Sequence, residues 1–422
     1  MKRKVRFTLV FDRMSRTATA ALMASLERSA GGDCMEVIRP VPLERLSEID
    51  FIPGSVEFVC MSSMTRDFKK RREALRMLRQ NHGRAFLGIA GGPHATARPA
   101  DALNAGFDYC CIGEGEEVVA EMYSRAASGA SFAGVAGLMG RETGPEDRPI
   151  ASGPADISVL DPLPRRIRFP AYIEAGRGCR WGCLYCQTPR LFGRSERFRS
   201  PEMIADISSY YARQGMKDLR ILLPNALSYG SAAPGAPDCA ALEEMLGRVA
   251  SACRDARIYL GSFPSEVRPD YVTPEAIAVL RKYVSNRSLV IGGQSGSDEI
   301  LRWLERGHTA ADICGACETA AAGGFDVSVD LMLGFPRESP GDREATFDLA
   351  GELGSRGMRV NMHFLMPLPG TPLAASRPRF LSPAERRMLD RMAQQGIVRG
   401  SWRRQEDLAA EWQDRDGKSP NA

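Results

Sequence analysis

Cys179, Cys183 and Cys186 fall within eight residues, spaced C-x3-C-x2-C, in the segment Glu174-Ala-Gly-Arg-Gly-Cys179-Arg-Trp-Gly-Cys183-Leu-Tyr-Cys186. Thiolates are strong ligands for iron, and Gly176, Gly178 and Gly182 leave the backbone supple enough to wrap one cluster. A [4Fe–4S] cubane ordinarily takes four cysteines, yet the next cysteine here is Cys239. One iron would remain open to an outside ligand, as a catalytic metal keeps one position free. Two other readings compete. Cysteines can pack as small apolar side chains, which a loop rich in glycine and arginine disfavours. Zinc needs a fourth ligand, and the four histidines, His82, His94, His308 and His363, are all remote in sequence.

The surrounding pattern says what positions this loop. Strands are expected at 171–175, 219–223, 257–261, 288–293, 326–333 and 359–364, alternating with helices. Helix starts are well marked. Ser200-Pro201-Glu202, Thr273-Pro274-Glu275 and Ser382-Pro383-Ala384-Glu385 each offer a capping hydroxyl and then proline at the first helical position. Thr309 caps a further helix, which Gly323-Gly324 end. Six strands in sequence make a partial (β/α)6 TIM-type barrel, with chemistry expected on the loops leaving the strands' C-terminal ends. The cysteine loop leaves the first of these. Beyond Pro372 only helical pattern continues, and 413–422 reads as a disordered tail.

The first part of the chain follows a different α/β plan. Strands are expected at 5–11, 56–61, 85–90 and 107–112, with helices at 17–28 and 66–79. Loops of small residues follow three of these strands: Ser62-Ser63-Met64-Thr65, Gly91-Gly92-Pro93 and Gly113-Glu114-Gly115-Glu116. Strand, small-residue turn and helix, repeated, predict a doubly wound, Rossmann-like domain with ligands at the strand ends. The fold class is thus α/β. The expected domains are 1–142, a linker at 143–169 rich in Pro, Gly and Arg, the barrel at 170–372, and a helical C-terminal segment at 373–422.

The cysteine spacing, with Tyr185 before the last cysteine, resembles the signature of the radical S-adenosylmethionine (SAM) superfamily, and the resemblance covers nearly all of 169–372. It implies that the open iron chelates SAM and that the reduced cluster cleaves it to a 5′-deoxyadenosyl radical. Leu222-Leu-Pro-Asn225 follows the second strand, where the family contacts the SAM amino group, although the usual Gly-Gly-Glu is absent. Ser262-Phe-Pro-Ser-Glu266-Val-Arg268 follows the third strand, Gly293-Gln294-Ser295-Gly-Ser297 the fourth, and Leu333-Gly334-Phe-Pro-Arg-Glu338 the fifth. By the resemblance Tyr185, Asn225, Glu266, Arg268, Gln294 and Ser295 are SAM contacts, with Arg268 suited to a carboxylate. Each piece alone is an ordinary turn; their order along successive strands gives the match its weight. Met366-Pro-Leu-Pro-Gly370-Thr-Pro matches the subset that holds methylthiotransferases and cobalamin-binding members.

Residues 1–142 resemble the cobalamin (B12)-binding domain that precedes the barrel in one subgroup. The resemblance rests on Ser62-Ser-Met-Thr65, Gly91-Gly-Pro-His94-Ala-Thr96 and Phe107-Asp-Tyr-Cys-Cys-Ile-Gly113-Glu114-Gly-Glu116. It implies that Ser62, Thr65, Gly91, Gly92, Gly113 and Glu114 line the cobalamin site. Many such domains carry Asp-x-His-x-x-Gly after the first strand, whose histidine ligates cobalt. Here the segment reads Asp12-Arg-Met14-Ser-Arg-Thr17, with Met14 at the histidine position. The implied function is a cobalamin-dependent radical SAM enzyme, a methyltransferase in the subgroup's usual form, with a small-molecule or peptide substrate and a reductant such as flavodoxin or ferredoxin.

Two rival classes remain. A methylthiotransferase acting on RNA or protein needs three more N-terminal cysteines, and this chain offers Cys34, Cys60 and the strand pair Cys110-Cys111. A non-catalytic, cobalamin- or SAM-responsive regulator would not need the intact barrel loops. Bulk properties are neutral between them. The net charge of +4 over 422 residues is too mild to point to nucleic acid, and no apolar run is long enough to span a membrane or act as a secretory signal. The cytoplasm is therefore expected, with the eleven cysteines mostly reduced. Nine arginines against three acids over 161–200 allow either loop packing or an anionic ligand. Cys314 and Cys317 read as helix packing, Lys69-Lys70-Arg71-Arg72 as a solvated face and His308 as a loop-ordering residue. His363 either faces substrate or fills the barrel mouth, and the loop at 223–238 is expected to shape the substrate pocket.

Overall fold

The computed structural model describes residues 3–141 and 152–416. The chain divides into two compact units, Met1–Tyr172 with Arg190–Gly193, and Ile173–Pro189 with Arg194–Ala422.

The first unit is a six-stranded sheet built from β1 (Val5–Phe11), β2 (Ile38–Pro42), β3 (Val56–Ser62), β4 (Leu87–Gly91), β5 (Tyr109–Cys111) and β6 (Leu138–Gly140). Its order is β2-β1-β3-β4-β5-β6, parallel except for the antiparallel pairing of β6 with β5. Both faces are covered, which is why β1 and β3 are apolar along almost their whole length. Val5, Phe7, Leu9 and Phe11 join one core with Phe58 and Cys60, while Val10, Val59 and Met61 join the core on the other face. The order reverses direction between β1 and β3, so the ligand crevice of such a sheet opens at their C-terminal ends.

Four strands stand where the sequence predicts them, and two do not come from apolar periodicity. β2 reads Ile-Arg-Pro-Val-Pro, a composition that only an edge strand tolerates, and it is an edge strand. β6 is three residues long and follows Gly137, whose φ of +77° makes the turn. Of the segment expected as a linker, 143–151 lies outside the described residues. The remainder packs on the first unit: Phe169 meets Phe11 edge-on at 4.8 Å, and the Glu27 carboxylate accepts the backbone N–H groups of Arg165 and Arg166.

The second unit contains β7 (Ile173–Glu174), the small hairpin β8 (Gly176–Arg177) and β9 (Arg197–Phe198), then β10 (Asp218–Leu222), β11 (Arg257–Tyr259), β12 (Ser288–Gln294), β13 (Asp326–Leu333), β14 (Arg359–Phe364) and β15 (Val398–Arg399). β11-β10-β7 form one parallel sheet and β12-β13-β14-β15 another, joined by an isolated parallel bridge between Val267 and Ile291. Six parallel strands thus follow one another as in a (β/α)6 barrel, and the ladder does not close. The hydroxyl caps work as the sequence predicts. Ser200 accepts from Met203 N and Thr273 from Ala276 N, while Thr309 and Ser382 form complete capping boxes with Asp312 and Glu385.

The C-terminal segment is not purely helical. After the helix Pro383–Gln394, β15 extends the sheet beside β14, and the helix Trp402–Asp416 takes in the first residues of the expected tail. Residues 417–422 lie outside the described residues.

Candidate functional site

The cysteine loop leaves β7 through a braced turn. Glu174 is buried and accepts from Arg177 Nε at 2.7 Å and Arg199 Nη2 at 3.0 Å. Burial alone would raise its carboxyl, but the two guanidinium groups overcome that and hold it below the usual carboxylate range. Two of the nine arginines over 161–200 are spent here, and Arg180 pairs with Glu196. These arginines build the loop. Gly178 has a φ of +85°, and a Cβ there would collide with the Ser195 carbonyl, so the hairpin closes only around glycine.

Beyond the hairpin the three thiols come close together: Cys183 and Cys186 both make ionisation of Cys179 costlier, and Cys183 does the same to Cys186. Burial, then the neighbouring thiols and Glu196, push the Cys179 thiol up to about 11 despite a backbone bond from Trp181; the Cys186 thiol is also raised. Among the described residues no three His, Cys, Asp or Glu side chains converge to hold a single ion. In a cubane each thiolate binds its own iron, so convergence on one point is not required.

A turn over Leu304–Thr309 straps onto this loop. Leu184 N donates to Leu304 O at 3.2 Å, and Cys183 Sγ points at Glu305 O at 3.9 Å. The buried Arg306 spreads its fork across the region. Nη1 reaches Cys183 Sγ at 3.5 Å and Tyr185 Oη at 3.1 Å, Nη2 reaches Gly292 O at 2.6 Å, and Nε reaches His308 Nε2 at 3.2 Å. Burial and the cations Arg306 and Arg268 push His308 down to about 2, so it stays neutral and accepts from Arg306. An open cleft of about 510 Å³ borders the outer side of this turn, lined in part by Trp181, Gly182, Glu305 and His308.

The predicted SAM contacts gather at the ends of β10, β11 and β12. Asn225 Oδ1 accepts from Arg268 N at 3.2 Å, and the Arg268 guanidinium lies 3.7 Å over the Trp181 ring. Asn225 and Arg268 are nine-tenths buried or more, yet among the described residues Asn225 Nδ2 and Arg268 Nη1 have no hydrogen-bond partner, and neither has Trp181 Nε1. Buried donors are rarely left unmade, so three in one place fit a bound ligand rich in acceptors such as a carboxylate. Gln294 sits at a bulge with a φ of +72°; its Nε2 and Glu266 Oε2 both lie within about 3.2 Å of where a Cβ on Gly292 would be. Ser295 is placed elsewhere: it is fully buried and spends its hydroxyl on Thr346 Oγ1 at 3.2 Å and Ser297 N at 3.1 Å.

Sequence reasoning missed a polar seam on the inner face of β13 and β14. Ser328 and Asp330 alternate with apolar Val327, Val329 and Leu331, which are buried on the strand's other face. Asp330 accepts from Asn361, lies 3.7 Å from His363 Nε2 and shares a hydrogen bond with Glu266. Glu266 is solvent-accessible although protein surrounds it, and burial with the Asp330 charge pushes it up to about 7. Gln405 holds His363 Nδ1 at 3.4 Å while its own Oε1 accepts from Phe364 N. An aspartate at mid-strand was the visible signal. Arg306 was missed as well, although it neighbours the singled-out His308.

In the first unit the predicted loops adjoin one another at the sheet's C-terminal edge. Ser63 N donates to Gly91 O and His94 N to Ser63 O; His94 Nδ1 meets Thr65 Oγ1 at 3.3 Å, and Gly113 N donates to Thr96 Oγ1 at 3.1 Å. Gly92, at a φ of +84°, allows the close approach, since a Cβ there would strike Ser62 Oγ. Glu114 is buried. Arg71, expected on a solvated face, is instead fully buried. It spans the crevice edge, with Nη2 on Asp12 Oδ2 at 2.6 Å and Nε on Ser62 O at 3.0 Å, while Nη1 has no partner among the described residues. Met14 is exposed, and its backbone N–H donates to Asp12 Oδ1 at 2.9 Å.

The sequence profile of the radical SAM superfamily matches residues 173–350, and that of the B12 binding domain matches residues 50–122. The chain carries a radical SAM domain behind a B12-binding domain. This pairing implies a [4Fe–4S] cluster and SAM for the second unit and cobalamin for the first. Among curated relatives, the tRNA-2-methylthio-N(6)-dimethylallyladenosine synthases of Leptothrix cholodnii and Thermus thermophilus are each 31% identical, over 211 and 219 residues, 49% and 51% of this chain. The matches cover 43% and 45% of those proteins, so the chain spans less than half the length of either relative. Among solved structures, the radical SAM methyltransferase TsrM from Kitasatospora setae, with cobalamin and a [4Fe–4S] cluster bound, superposes with a TM-score of 0.68 at 17% identity, covering 88% of this chain and 77% of that one. The cobalamin-dependent SAM radical enzyme OxsB gives 0.63 at 13% identity, covering 82% and 52%. At these identities the likeness concerns the fold of radical SAM proteins that carry this domain pair.

Proposed function

We propose that this chain is a cytoplasmic radical SAM enzyme. It would hold one [4Fe–4S] cluster on Cys179, Cys183 and Cys186, cleave SAM reductively, and use cobalamin to methylate or otherwise modify a small-molecule or peptide substrate. The observation that carries the reading is the meeting of three thiols, an adjoining guanidinium and three buried donors with no partner among the described residues, at the C-terminal ends of consecutive strands. When bound, the cluster supplies one electron and cobalamin a methyl carrier, the electron coming from a donor such as flavodoxin or ferredoxin.

The chain's own residues hold, orient and neutralise. Arg306 places positive charge against Cys183, and Arg268 with Asn225 offers donors to the carboxylate of SAM. Tyr185, fixed by Arg306, and Gln294 would flank the same ligand, while Glu266, pushed up to about 7 by burial and the Asp330 charge, would hold or release a proton on the substrate side. In the first unit Ser62, Thr65, Gly91, Gly92, Gly113 and Glu114 would line the cobalamin site, with the spare N–H of Arg71 offered to an acceptor. The cytoplasm suits a site built on free thiols.

Anaerobic reconstitution should give a brown protein with about four irons per chain. Changing the three cysteines to alanine should remove that iron, and iron that survives the change would sink the reading. Stoichiometric uptake of hydroxocobalamin tests the first unit in the same way. The curated relatives favour a second reading, methylthiolation of RNA or protein. It requires a second cluster, whereas Cys34, Cys60, Cys110 and Cys111 are all buried in the first unit's core. Eight irons instead of four would favour it.

A further inference from the structure

The strap at Leu304–Thr309 does more than cover the cysteine loop. Arg306 is the point where its charge is delivered, and we propose that Arg306 is the positioning residue that sets the reduction potential of the cluster. The inference rests on the cluster reading above.

Three observations lead to it. Among the described residues the guanidinium hydrogen-bonds to Cys183 Sγ and to no carboxylate: its other N–H groups go to Tyr185 Oη, Gly292 O and His308 Nε2, all neutral acceptors. Glu266 acts on it only at longer range, so the one sulfur it touches is the ligand on which its charge bears directly. Arg306 is also buried, so solvent screens little of that charge. Finally, the strap is built to hold it in register. Gly307, at a φ of +68°, packs against the Trp181 ring where any Cβ would collide, and Glu305 takes a left-handed φ of +58° that few non-glycine residues adopt. A Cβ on Gly182 would collide with the Glu305 carboxylate, so the cysteine loop and the strap are fitted to each other.

The physical consequence has a definite sign. Reduction adds one negative charge to a thiolate-ligated cluster, and a fixed cation beside a ligating sulfur stabilises the reduced form more than the oxidised form. Arg306 should raise the potential and ease the first electron transfer. His308 keeps the guanidinium in plane by accepting from Nε, and its neutrality avoids a competing charge.

The test is a redox titration of reconstituted wild type, Arg306→Gln and Arg306→Lys, followed by the EPR signal of the reduced cluster, with iron content and the melting of each metal-free protein measured alongside. Arg306→Gln should lower the reduced fraction at a fixed potential about tenfold, a shift of about 59 mV for one electron. Arg306→Lys, which keeps the charge and loses the fork, should recover much of it. If Arg306→Gln fails to hold iron while Arg306→Lys holds it near the wild-type midpoint, the charge is again what matters. An Arg306→Gln cluster with an unchanged midpoint overturns the proposal, as do two variants that lose iron equally. Absence of iron from wild type would instead defeat the cluster reading itself.

Discussion

Cysteines occupy both units, and they live by opposite rules. In the first unit Cys60, Cys110 and Cys111 sit on β3 and β5, inside sheet faces packed by phenylalanine and valine. Burial pushes Cys60 far up and both Cys110 and Cys111 to about 12. In the second unit Cys179, Cys183 and Cys186 lie on a loop that hydrogen bonds and glycines hold in place, beside a buried cation. The same side chain is an inert core filler on a strand and a ligand candidate on a braced loop. Strand geometry sends Cys60 and Cys111 into one core and Cys110 into the other.

The comparison breaks most sharply at the metal. Cys183→Ala should abolish iron retention, while Cys60→Ala, Cys110→Ala and Cys111→Ala should each keep the wild-type iron content; equal losses in both groups would erase the distinction. Labelling comes next. In metal-free protein, iodoacetamide should modify Cys179 and Cys186 at least about tenfold faster than the three strand cysteines, since access and thiolate fraction control the rate. Mass spectrometry of the peptides reads this directly.

A smaller effect separates the two groups in stability. Cys111→Ser buries a more polar hydroxyl within the first core and should cost about 1–3 kcal/mol in chemical denaturation, whereas Cys186→Ser in metal-free protein should cost less. The smallest expected effect is a pH dependence confined to the second unit. Glu266 rises from an ordinary 4.5 to about 7, so the folded state holds an extra proton between those values. The stability this confers is complete below about 4.5 and is lost as pH rises through about 7. Glu266→Gln should flatten that decline in melting temperature between pH 5 and 8. Parallel curves for the two proteins would show that Glu266 titrates normally.

Much of this was legible in the chain alone. β13 and β14 fall on the predicted residues because apolar stretches there are bounded by clear turn signals. The helix caps were legible because hydroxyl, proline and acid recur at fixed offsets. β8, β9 and β15 were not, since two residues carry no periodicity. Arg71 was misread by treating four charges as one face. Helical spacing puts it with Ala74, Leu75 and Leu78, all buried. Arg306 was illegible for another reason: its partners Cys183, Tyr185 and Gly292 come from distant stretches of chain, and only the fold brings them to it.

The last strand carries a quieter consequence. β15 forms the open border of the four-stranded sheet, yet it is only two residues long, and glycines at 396 and 400, both with positive φ, turn the chain at either side. A border so brief offers a neighbouring molecule almost no ladder to extend, which guards the enzyme against edge-to-edge aggregation at high concentration. Any residue larger than glycine at 400 would strike the Met362 carbonyl, lift the strand away and bare the longer flank of β14 in its place.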